Sequence, residues 1–211
     1  MPALEDLLDR LDNTREQLLM ALEYLPDEAL LRPEAVGPWS IADLLNVLTA
    51  WDAEVVTGMM KLKIGKAPDG LLKALADPAA YNRRRVAENR ERDLDGVFED
   101  FQGARVKLEE WLDAFDQRAL TDKNHFKSLD GRSLFDVVAS ATYKHEARYL
   151  PLLKTFAAEW EAAEEAAADE EAATFIPLAG LDVTPAGDGE TDERSHDNGH
   201  HDNGNHDNGR A

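Results

Sequence analysis

His145 and Tyr149 stand four residues apart in the segment Tyr143-Lys144-His145-Glu146-Ala147-Arg148-Tyr149. That spacing stacks two side chains on one face of a helix. An imidazole there can act as a general base near neutrality, and a phenol one turn on can donate to a developing oxyanion. Asp52 adds a carboxylate that could orient the imidazole, or activate water if its surroundings shifted its pKa. Each has a plainer reading: His145 as a hydrogen-bonded core residue, Tyr149 as core packing, Asp52 as a surface charge. Asn82 reads equally as a polar pocket residue or as a hydrogen-bonder at a helix start. His125, in the loop Thr121–Arg132, reads as solvent-exposed.

Other chemistries are closed off. The chain has no cysteine, which removes disulfides, thiolate metal sites and cysteine nucleophiles. Its net charge is -20 over 211 residues. Residues 1–160 carry 29 acids against 21 Lys+Arg, whereas 161–211 carry 14 acids against 2. Such a field repels phosphate backbones and anionic lipid, so neither nucleic acid nor membrane is an expected partner. The run Arg83-Arg84-Arg85 lies among Glu88 and Glu91 and reads as a solvated mixed-charge helix face. No stretch reaches the length of a membrane span, and Glu5 and Asp6 argue against a signal peptide. The expectation is a cytoplasmic protein.

The residues above need helices to position them, and the apolar spacing supplies four. Leu4, Leu7, Leu8, Leu11, Leu18, Leu19 and Leu22 mark one face of a first helix near 3–25. Ser40 with Asp43 predicts a capping box, opening a second helix that runs to about Lys63 with Leu44, Val47, Leu48, Trp51 and Val55 inward. Asp77-Pro78 predicts a third start, from which helical sequence runs to about Phe115. That length outruns the first two helices, so a break is expected near Arg92–Gly96. Ser133 and Asp136 predict the fourth start, with Leu134, Val138, His145, Tyr149, Leu152 and Phe156 inward and a bend at Pro151. The fold class is all-α, a four-helix bundle over 3–160. Residues 161–183 read as an acidic Ala/Glu-rich helical extension plus a short apolar segment, Phe175–Val183. Residues 184–211 read as a disordered tail. The tail repeats His-Asp-Asn-Gly around His196, His201 and His206, a pattern of a solubilising segment with loose metal affinity.

The string from Pro38 to Asp52, PWSIADLLNVLTAWD, resembles the second-helix signature of the DinB-like superfamily. It is most similar to the branch of ClbS/DfsB proteins and of the bundle in mycothiol-dependent maleylpyruvate isomerases. Tyr81-Asn82 and the His145 segment fall where that family has its third-helix Asn and fourth-helix His motif. The resemblance implies a metal triad of three imidazoles, whose positions here carry Val47, His145 and Tyr149. One imidazole does not hold a divalent ion, so no metal and no cofactor are expected. ClbS-type relatives imply protection against a reactive metabolite. The expected function is binding or hydrolysis of a small reactive molecule in the bundle cavity. A non-catalytic binding or dimerisation module and a metal-dependent mycothiol-type transferase are the alternatives. The family also implies a homodimer.

Overall fold

A computed structural model describes residues 2–174. The chain divides into two compact units, 1–172 and 173–211, and the bundle is the first. The expectations for the apolar segment 175–183 and the tail 184–211 fall outside the described residues.

Four helical rods form the bundle. The first is α1 (Ala3–Leu22); after a short α2 (Asp27–Leu31) comes the second, α3 (Ile41–Lys63). The third is a pair, α5 (Pro78–Asn89) and α6 (Leu94–Leu112), preceded by α4 (Asp69–Ala76). A short α7 (Gln117–Thr121) leads to the fourth rod, itself in three pieces: α8 (Leu134–Ala141), α9 (Tyr143–Glu146) and α10 (Leu150–Thr174). No strand occurs among the described residues. The all-α bundle read from the apolar spacing is the fold.

Local chemistry sets the helix starts. The Ser40 hydroxyl accepts the Asp43 N–H at 3.0 Å, and the Asp43 carboxylate accepts the Ser40 N–H at 3.1 Å. Two backbone donors that the first turn would strand are thereby satisfied. The preceding turn depends on Gly37, whose φ of +66° suits a residue without Cβ and lets the Val36 N–H reach the Trp39 carbonyl at 2.9 Å. Asp77 caps α5 through the Ala80 N–H, with Pro78 in the first turn as expected. The Ser133 hydroxyl caps α8 in the same way, but it also donates to the Asp136 carboxylate, in place of the backbone return bond of a full capping box. Ser40→Ala should cost about 1 kcal/mol of stability, seen as a lower urea midpoint with an unchanged slope.

The third rod breaks between Asn89 and Leu94, starting two residues before the expected window of Arg92–Gly96 and overlapping it, and Asp93 recaps it through the Gly96 N–H at 2.8 Å. The fourth differs from the single bent helix expected. Thr142 leaves helical geometry (φ -113°, ψ -107°), and residues 147–149 form a turn before α10. Pro151 has no N–H for the carbonyl four residues back, so it sits in the first turn of a new helix. Leu152, read as inward, is 47% exposed, and Leu19 is 37% exposed. The departure at Thr142 and the turn at 147–149 end the simple periodicity of the fourth rod.

Two apolar clusters fill the interior. One gathers Leu7, Leu11, Val47, Trp51, Leu108 and Val138; the other gathers Leu18, Leu44, Leu48, Phe101 and Leu153. α3 packs chiefly against α6 and contributes to both. Among the described residues no helix is long and apolar enough to cross a membrane.

Candidate functional site

Four side chains from three rods converge at one corner of the bundle. Trp51 comes from the middle of α3, Asn82 from the first turns of α5, His145 from α9, and Tyr149 from the turn before α10. The Trp51 indole N–H donates to Asn82 Oδ1 at 2.8 Å. An indole only donates, so this bond fixes the carboxamide with its oxygen on Trp51 and its NH2 on the other side. That NH2 lies 3.5 Å from His145 Nε2 and 3.4 Å from Tyr149 Oη, and the phenol oxygen is 3.4 Å from the same Nε2. The result is a nearly equilateral triangle of polar atoms. Trp51 packs its ring 5.1 Å from the imidazole and 4.7 Å from Tyr81, and Trp39 lies 6.2 Å from Tyr149. Asn82 and His145 are buried, whereas Tyr149 and Trp39 are half-buried and form the outer wall.

His145 is held neutral. Burial and then the nearby Arg148 charge push its pKa down to about 4, against a smaller opposing pull from Asp52. Its Nδ1 is buried with no hydrogen-bond partner among the protein's atoms. A second proton would leave one N–H facing the Asn82 NH2 and another facing nothing, so geometry and burial agree. The Tyr149 hydroxyl is held in its protonated form, since burial raises its pKa more than Arg148 and the Asn82 hydrogen bond lower it. At neutral pH the corner is uncharged.

Asp52 departs from both readings given to it. It is 2% exposed and not a surface charge. Its Oδ2 accepts from Arg15 Nη2 and from Arg105 Nε, each at 3.1 Å. Glu146, 1% exposed, completes the set: Oε1 accepts from Arg15 Nε at 2.8 Å and Oε2 from Arg105 Nη2 at 2.9 Å. Each guanidinium also donates to a carbonyl, Arg15 to Phe101 and Arg105 to Leu11. The Arg15 guanidinium also lies 3.6 Å from the centre of the Phe101 ring. Two cations and two anions thus tie α1, α3, α6 and α9 together with no net charge. Burial opposes the Arg105 charge, but Asp52 and Glu146 outweigh it and hold the group above its ordinary pKa. The Asp52 Oδ2 is therefore occupied by two guanidiniums and is not turned to a water. Asp52 follows Trp51 and Glu146 follows His145, so the quartet pins the two helices that carry the corner.

Arg15, Arg105 and Glu146 were not among the candidates drawn from the sequence, yet a signal existed. Arg15 falls on the line Leu11–Arg15–Leu18–Leu22, Arg105 on Phe101–Arg105–Leu108–Leu112, and Asp52 on Leu48–Asp52–Val55–Met59. Each charge occupies a buried position of its stripe, where an unpaired charge is not tolerated. Elsewhere His125 is exposed, edge-on to Phe126 at 4.5 Å, as expected. Arg84 and Arg85 pair with Glu88 on an outer helix face. The tail histidines lie outside the described residues. A groove of about 730 Å³ lies away from the corner, lined by Met20, Tyr24, Leu25, Lys154 and Trp160 among others.

The architecture is that of a helical bundle with a polar interior corner between its second, third and fourth rods. The family model of the DinB superfamily matches residues 10–150, two thirds of the chain, and the protein belongs to that superfamily. No curated protein and no solved structure gives a significant match.

The three-imidazole metal centre implied by the resemblance does not fit these residues. Val47 is buried and has no donor atom. Tyr149 keeps its proton, and Asn82 turns its NH2 hydrogens toward the triangle. Only His145 offers a lone pair of the kind such ions take. Among the described residues no three His, Cys, Asp or Glu side chains gather to hold an ion.

Proposed function

We propose that the protein is a DinB-superfamily bundle of the ClbS/DfsB type that binds a small reactive molecule, without a resident metal, at the corner of Trp51, Asn82, His145 and Tyr149. The observation that carries this reading is the triangle itself. Three polar atoms of the interior face one another at 3.4–3.5 Å, longer than good hydrogen bonds, so none is well satisfied by its neighbours. A ligand group entering past half-buried Tyr149 and Trp39 would satisfy them better.

Binding is favoured over hydrolysis by the state of the bases. An imidazole with a pKa of about 4 removes protons weakly at neutral pH. Asp52, the other candidate base, is committed to Arg15 and Arg105. Tyr149 remains as a donor that polarises a bound carbonyl or strained ring.

A thermal-shift screen of small electrophiles (epoxides, enones, activated cyclopropanes), with product analysis of each mixture, tests the proposal. At least one compound should raise the wild-type Tm by 2 °C or more. Binding at a hundred times Kd adds about 2.7 kcal/mol, ample for such a shift. The same compound should lose its effect on Tyr149→Ala. A screen with no stabiliser, or a shift kept intact in Tyr149→Ala, removes the corner as a ligand site.

A further inference from the structure

We infer that the corner selects a hydrogen-bond-accepting oxygen of its ligand, a carbonyl or an oxyanion, and rejects cations, because the Trp51 indole locks the Asn82 carboxamide with its NH2 turned into the triangle. The inference rests on the ligand-binding role proposed above and specifies the chemistry of what is bound.

Spacing alone does not decide the matter. Donors of a tetrahedral ion bound at about 2.1 Å sit about 3.4 Å from one another, much like the three atoms here. An oxygen about 2 Å above the plane of the triangle would equally lie about 2.8 Å from all three, a good hydrogen-bond length. The polarity of the atoms separates the two cases. Asn82 presents N–H hydrogens, and an amide nitrogen has no lone pair free for a metal. Tyr149 keeps an O–H to donate. Reversing the carboxamide to offer its oxygen would set its NH2 against the Trp51 N–H at 2.8 Å, two donors face to face inside the core. Two buried donors left unpaired carry their full desolvation penalty, which keeps the observed orientation dominant.

The neutral imidazole completes the set. A neutral ring carries one proton, and with a carbonyl or oxyanion bound that proton sits on Nε2, so that the oxygen accepts from all three corners while Nδ1 keeps only a lone pair. An oxygen that itself bears a proton, such as a carboxylic acid or a hydrate, meets the other tautomer and gives that proton to His145 Nε2 while accepting from Asn82 and Tyr149. A ligand with only a cationic head meets N–H and O–H hydrogens. Trp51 is then a positioning residue: it need not touch the ligand, but it decides which end of the carboxamide the ligand meets.

The test follows the Asn82 NH2, Trp51 Nε1–H and His145 ring signals of the full-length protein by 1H–15N NMR while probes are added. The probes are acetamide, acetone and acetate as acceptors, and Zn2+ as the cation. Reading these signals separates the corner from any metal bound by the tail histidines. The acceptors should move all three signals, and Zn2+ at equal concentration should leave them in place. Asn82→Asp turns a carboxylate oxygen inward while keeping an acceptor for Trp51. It should weaken the acceptor response at least tenfold and bring the His145 signal under Zn2+ control. Trp51→Phe, which frees the carboxamide to rotate, should narrow the preference for acceptors over Zn2+ at least threefold with the fold retained. Zn2+ shifting His145 and Asn82 in the wild type would overturn the inference, as would selectivity unchanged in Asn82→Asp. Acceptors that fail here while an electrophile still stabilises the protein through Tyr149 overturn only the inference. Failure of both assays removes the binding role as well.

Discussion

Glu146→Ala is expected to lower the unfolding free energy by about 3–5 kcal/mol, the largest single-residue loss anticipated in this protein. The carboxylate is 1% exposed and accepts from both Arg15 and Arg105. Its removal leaves two buried guanidiniums facing Asp52 alone, with one uncompensated positive charge among four helices. The intact quartet need not add much stability, since removing four charged groups from water offsets most of their mutual attraction. Breaking it is costly because desolvation remains while the attraction is halved. Urea denaturation of the full chain measures the loss. For a domain of this size it corresponds to a fall in Tm of about 6–20 °C. A Glu146→Ala protein within about 1 kcal/mol of wild type would show that water reaches the quartet and that the network is not the tie proposed here.

Stability should fall by about 2 kcal/mol between pH 7.5 and pH 5.0 because of His145 alone. The folded pKa is about 4, against an ordinary value of 6.5 that the unfolded chain recovers. Above pH 6.5 the ring is neutral in both states and has no effect. As the pH drops through 6.5 the unfolded state takes up a proton that the folded state refuses, so unfolding becomes easier, and the loss levels off below about pH 4. Each pH unit in that window is worth about 1.4 kcal/mol. The groups around the ring fix the direction: burial and Arg148 oppose the proton, Asp52 favours it more weakly, and Asn82 and Tyr149 are neutral. His145→Gln removes the titration and should flatten this part of the profile. Comparing the two proteins at each pH cancels the contributions of every other titrating group. An equal slope in wild type and His145→Gln would assign the acid sensitivity elsewhere.

The sequence by itself determined the four rods and their order. Starts at Ser40, Asp77 and Ser133, the existence of a break in the third rod and the burial of Val47, Trp51 and His145 follow from capping chemistry and helical period, which act over a few neighbouring residues. Superfamily membership was legible for the same reason, because the Trp39–Asp52 string is local. The short helices α2, α4 and α7 went unread, being too brief for a period to register.

Only the tertiary structure decided the chemistry of the interior. Trp51 meets Asn82 across 31 residues, Arg105 meets Glu146 across 41, and Arg15 meets Glu146 across 131. No local pattern records which partner a charge or a carboxamide will find. The orientation of Asn82 depends on a single indole N–H from another helix, and the neutrality of His145 depends on burial contributed by α3, α5 and α9 together. Helix formation is governed by near neighbours along the chain; pairing, desolvation and donor direction are governed by near neighbours in space.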